Sequence, residues 1–169
     1  MTIGKCRFII LASCALFALS LAQNWAQPQQ AMPLWYEALR AAANLAWSGT
    51  LASPFAAGPT GPTAHIGPAY PFAASLLISV FGVNAQGFFV LQLVTNLVVA
   101  FHVAMLPLAA ELLGLGFSTG VLAGLFHIAA QVPTYPAWEA SYVALLVMLL
   151  TVLVVRFVTR GYSTRSALA

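Results

Sequence analysis

The sequence predicts an all-α integral membrane fold of about four transmembrane helices, with short interfacial helices in one large external loop. Three observations predict it. The 169 residues are 62% hydrophobic and only 5% charged, with a mean hydropathy of +0.93, whereas soluble domains carry about 25% charged residues. Long apolar runs alternate with stretches rich in Gly, Pro and polar residues. Five of the six basic residues gather at the two ends, Lys5 and Arg7 before the first apolar run and Arg156, Arg160 and Arg165 after the last. In hydrocarbon every backbone N–H and C=O must bond within its own segment, and no strand-like alternation points to a barrel, so the spans are helices. No internal repeat or soluble second domain is visible, and residues 1–169 read as one membrane domain.

The first span is predicted over 8–24. Its basic start, its apolar run of about 15 residues and the Ser20-Leu21-Ala22 ending also suit a cleaved signal peptide. Trp25 extends the run into the interface, which favours an uncleaved helix. Leu11-Ala12-Ser13-Cys14 looks like a lipobox, but too little apolar sequence precedes it and too much follows. Residues 25–83 form the external loop. Within it a helix is expected from Met32 to Trp47, stopping at Ser48-Gly49. Four prolines, Pro59, Pro62, Pro68 and Pro71, then restrict the chain to a narrow range of shapes and can hold His65 and Tyr70 at fixed places. The apolar stretch 72–83, bounded by Pro71 and Gly82, is about half a span and reads as a weakly amphipathic interfacial helix. Further spans follow at 86–113, 119–132 and 140–156. Basic residues favour the cytoplasmic side, so both termini belong there and the number of crossings is even. The chain is expected in the cytoplasmic (inner) membrane. Residues 157–169 form a cytoplasmic tail, where Tyr162 to Ala169 begin a new polar-to-apolar transition, as in a truncated frame.

The net charge is +3 and the pI about 9.2, yet the basic residues sit where topology alone puts them, which disfavours nucleic acid as a partner. Cys6 and Cys14 show neither a disulfide framework nor metal-ligand spacing. Three acidic residues exist: Glu111 at the cytoplasmic end of the second span, Glu37 in the external loop and Glu139 at the external start of the fourth span. On the expected helix Glu37 and Arg40 share a face. One reading makes them an exposed pair contributing little. The other makes Glu37 a general base or a divalent-metal ligand, with Arg40 holding an anionic group such as a phosphate. His65 is either a loop hydrogen-bonder or a contact for a lipid-linked phosphate or a sugar. His102 and His127 fall inside spans, where neutral imidazoles can bond between helices or mark a function. Gln92 and Asn96 are spaced as polar glue. No Ser-His-Asp order, phosphate-binding Gly-rich loop or metal-binding helix motif is present.

Several residues carry a family likeness. An acidic residue on a short external helix, then Gly49, Pro54-Phe55, Thr60-Gly61-Pro62-Thr63-Ala64-His65, Pro68-x-Tyr70-Pro71 and Val80-Phe81-Gly82, resembles the membrane-embedded GT-C class glycosyltransferases. The nearest look-alikes are bacterial members related to protein mannosyltransferases and lipid A aminoarabinose transferases. The resemblance runs from about residue 30 to the end of the chain. It implies transfer of a sugar from a polyprenyl-phosphate carrier to an acceptor outside the cytoplasmic membrane, usually with inversion at the anomeric carbon. Such enzymes have more than four spans, so the likeness implies the N-terminal part of one. It places Glu37 where the family's first-loop acid acts as base on the acceptor or positions it. Many members carry Asp or an Asp-Glu pair there, and here Tyr36 precedes. Glu139 is similar to a second acidic position near the start of a later span. Arg40, His65, Tyr70 and Glu139 are the expected substrate-binding residues. The implied partners are the lipid-linked sugar donor and membrane lipids, and positive groups or a divalent metal would stabilise the leaving phosphate. The competing function is a small non-catalytic membrane protein, an assembly partner or half-transporter. Pro107 is its sole candidate for a helix break.

Overall fold

The computed structural model describes residues 3–25, 32–34, 36–55, 58–62, 66–130 and 139–160. They form six helices: α1 (Ile3–Trp25), α2 (Glu37–Ser48), α3 (Ala69–Phe81), α4 (Ala85–Leu112), α5 (Phe117–Ala130) and α6 (Ala140–Arg160). Among the described residues the β structure is a single antiparallel bridge between Ala52 and Pro62. The all-α expectation therefore holds. The chain divides into two compact units, one of Met1–Gln23 with Thr95–Ala169, the other Asn24–Val94.

Two helices, α4 and α6, are long and apolar enough to cross a membrane. Four were expected. The difference lies in α1 and α5, whose apolar stretches Arg7–Leu19 and Phe117–Ala129 are each shorter than 18 residues. A span needs roughly 20, and Lys5, Arg7 and the polar residues after Ala22 leave α1 less apolar length than its helix has. In α6 only 6% of the spanning window is buried. Leu146, Val147, Leu150 and Val154 are all more than half exposed, a surface that water would penalise.

In the first unit α1 packs on α4 and α5. Ile9, Ala104 and Leu108 form a buried cluster flanked by Ala12, Met105 and Phe117. Phe8 meets Phe117 edge to face with ring centroids 5.3 Å apart. Lys5 pairs with Glu111. Pro107 lies inside α4, which continues through it without interruption. Proline has no N–H, so the carbonyl of Val103 loses its helical donor. Over this segment α5 presents Gly120 and Gly124. A Cβ at Gly120 would run into the Pro107 backbone, and one at Gly124 would stand 3.3 Å from Val103 Cγ1. The spacing is the small-residue pattern of close helix packing. Thr95 of α4 and Tyr142 of α6 share a hydroxyl hydrogen bond of 3.0 Å.

The second unit is built on α2 packed against α3. Ala38, Leu39, Ala41, Ala42 and Ala43 of α2 are buried, as are Tyr70, Pro71, Ala74, Ser75 and Ile78 of α3. Alanines let the helices approach closely. The helix expected from Met32 begins instead at Glu37, because Pro33 biases Met32 away from helical backbone. A turn replaces the missing residues, with Leu34 N donating to Met32 O and Tyr36 N to Pro33 O. The helix expected over 72–83 begins earlier, at Ala69, and takes in Tyr70 and Pro71. First-turn N–H groups have no intrahelical partner, so a proline there removes nothing. Asn84 joins α3 to α4: its Nδ2 donates to Phe81 O at 2.9 Å and its Oδ1 accepts from Gly87 N at 2.9 Å. That cap moves the start of α4 to Ala85. At the other end of the chain α6 runs to Arg160, so the first four residues of the expected tail, 157–160, are helical. Residues 161–169 lie outside the described residues.

Candidate functional site

The candidate site begins at the first turn of α2. Tyr36 is extended, with φ −78° and ψ 120°, and its carbonyl accepts from Arg40 N, which starts the helix. Glu37 is thus the first helical residue and is half-buried. A carboxylate at this position meets the positive end of the helix dipole, worth about 0.3–1 kcal/mol. One turn on, Arg40 reaches back and its Nε donates to Leu34 O at 2.9 Å. It fastens the turn that leads into the helix.

The segment after α2 folds back onto it. Gly49, at φ +70°, closes the helix in the left-handed region, with its N–H on Leu45 O at 3.0 Å. Asn44 Nδ2 donates to Ala52 O at 2.8 Å and to Ser53 O at 3.3 Å. Ser53 has φ +48°, a conformation that non-glycine residues seldom adopt. It is held there from several sides: its N–H donates to Gly61 O at 2.9 Å, and its Oγ accepts from Thr60 N at 3.1 Å. The proline-rich stretch is therefore anchored to α2 as far as Pro62. His65 lies outside the described residues.

Tyr70 is the second residue of α3 and 3% exposed. Glu37, Arg40 and Tyr70 accordingly belong to one compact unit, on two helices that pack together. Glu139 belongs to the other unit. Its carbonyl accepts from Tyr142 N at 3.0 Å and Val143 N at 3.2 Å, which makes it the residue that opens α6. His102 and His127 meet across α4 and α5 with ring centroids 5.5 Å apart. Among the described residues no group of three or more His, Cys, Asp or Glu converges that could hold a metal ion.

Asn44 and Ser53 were not legible as candidates, although asparagine is a poor residue for a helix interior and signals a side chain with a backbone partner elsewhere. Gly120 and Gly124 carried the signal G-x-x-x-G. No protein-family model matches the chain, and neither a curated protein nor a solved structure matches it.

Proposed function

We propose that the chain carries the Glu37-bearing portion of a polyprenyl-phosphate-sugar-dependent glycosyltransferase of the GT-C class, acting at the external face of the cytoplasmic membrane. The observation that carries the reading is the frame around Glu37. The Arg40 to Leu34 clasp fixes the chain before the carboxylate, and Asn44 fixes the Pro/Gly loop after it. Sites of group transfer need such rigid support.

In this reading α1, α4, α5 and α6 cross the bilayer and residues 25–83, which carry α2 and α3, lie on its external side. Lys5 pairs with Glu111, Phe8 touches Phe117, and Leu112 and Val155 line one groove. The start of α1, the end of α4, the start of α5 and the end of α6 therefore share one end of their unit, which supports four crossings. At about 21 Å, α5 is short for a hydrocarbon core of about 30 Å, and local thinning accommodates it.

Glu37 takes the proton from the acceptor, whose freed electron pair attacks the anomeric carbon. The bond from that carbon to the carrier phosphate breaks with inversion, and the phosphate departs as the anion. Arg40, its Nε held by Leu34 O, offers the terminal nitrogens that suit a phosphate. The test is transfer by membranes containing the chain, supplied with polyprenyl-phosphate mannose or polyprenyl-phosphate aminoarabinose. Glu37→Gln should slow transfer by at least about 100-fold, the usual loss with a general base. Near wild-type transfer by Glu37→Gln, or no transfer by the wild type with either donor, would contradict the reading.

A further inference from the structure

Between the C-terminal halves of α4 and α6 lies an open groove of about 220 Å³. Leu106, Ala109 and Leu112 line it from α4, and Met148, Val152 and Val155 from α6. Thr151 is the one lining residue with a side-chain hydroxyl, and its Oγ1 donates to Val147 O at 2.8 Å. The hydroxyl is thereby spent within its own helix, and the rest of the lining is apolar. An occupant of matching chemistry is an alkyl chain.

One turn beyond Val152 stands Arg156. Its Nε is buried and has no hydrogen-bond partner among the described residues, and its side chain is partly exposed. Glu111, the acidic residue at this end of α4, is already paired with Lys5. The described charges at this end of the unit, Lys5, Arg7, Glu111 and Arg156, leave an excess of positive charge. An apolar groove with a partly exposed arginine one turn beyond Val152 and net positive charge at the same end matches a molecule with an alkyl chain and an anionic head.

We propose that this groove seats one acyl chain of an anionic glycerophospholipid whose headgroup phosphate is bound by Arg156. Guanidinium and phosphate match in planar, two-pronged geometry, which a lysine ammonium does not reproduce. The net positive surroundings favour a head of net negative charge over a zwitterionic one. The site is independent of the sugar-transfer reading, since it uses no residue of the unit that carries Glu37.

The test uses the full chain, purified in mild detergent with equimolar phosphatidylglycerol and phosphatidylcholine, and native mass spectrometry of the protein after partial delipidation. The wild type should retain phosphatidylglycerol at least about tenfold over phosphatidylcholine, the preference expected of a charge-assisted contact worth about 1.4 kcal/mol more with one lipid. Arg156→Gln should abolish that preference and Arg156→Lys should keep part of it. Ala109→Phe, which fills the groove and leaves the charge, should lower retention of both lipids. Equal retention of the two lipids by the wild type, or unchanged phosphatidylglycerol retention in Arg156→Gln and Ala109→Phe, would overturn the proposal.

Discussion

Asn44 ties the loop after α2 back to that helix. Its amide serves two carbonyls of the loop, and one of them belongs to Ser53, the residue in left-handed backbone. Removing it by Asn44→Ala leaves those carbonyls to water or unpaired. We expect a loss of about 1 kcal/mol, the low end for a partly exposed site. Amide hydrogen exchange checks it: the Ser53 and Thr60 amides should exchange faster, while amides in the interior of α3 should not. Unchanged exchange at Ser53 would mean that the loop holds itself. Glu37 and Arg40 could be named from the sequence because charge is so scarce here that every ionisable residue stands out. Their geometry could not, because Arg40 bonds a backbone carbonyl six residues back, through a turn set by Pro33. Side-chain to backbone contacts of that kind leave no periodic trace.

Among the elements, both ends of α4 and the start of α6 were legible almost to the residue, since a long apolar run satisfies its backbone most simply as a helix. Helix ends were less so. Asn84 and Pro71 each shift a boundary by a local bond or by a missing donor, and apolar counting sees neither. The packing of α5 on α4 rests on the absence of a side chain. Gly120 admits the Pro107 backbone at a distance that no Cβ would allow. Gly120→Leu should destabilise the first unit by about 1–3 kcal/mol through overpacking, whereas Gly114→Leu, with open space around it, should differ mainly through its positive φ of 76°. Reversible unfolding in mixed micelles measures both. A smaller loss at Gly120 than at Gly114 would contradict the packing account. By comparison the Lys5 to Glu111 pair is partly exposed on both sides, and such pairs contribute about 0–1 kcal/mol.

At the scale of the whole molecule, composition placed the chain in a membrane, and the exposed apolar faces of α5 and α6 agree with that placement. The division into two units was not foreseen, because it is made by contacts between α2 and α3 within a stretch that read as a loop. Every step of the transferase account requires that residues 25–83, with α2 and α3, lie on the external side of the bilayer. The direct measurement is accessibility of a single thiol in intact spheroplasts. Thr60 is exposed and holds Ser53 Oγ through its backbone N–H rather than its side chain, so Thr60→Cys in a chain with Cys6 and Cys14 replaced by alanine reports the side without removing that bond. The account predicts full reaction with a membrane-impermeant maleimide before lysis. Reaction only after the membrane is permeabilised would place Glu37 on the cytoplasmic side and contradict it.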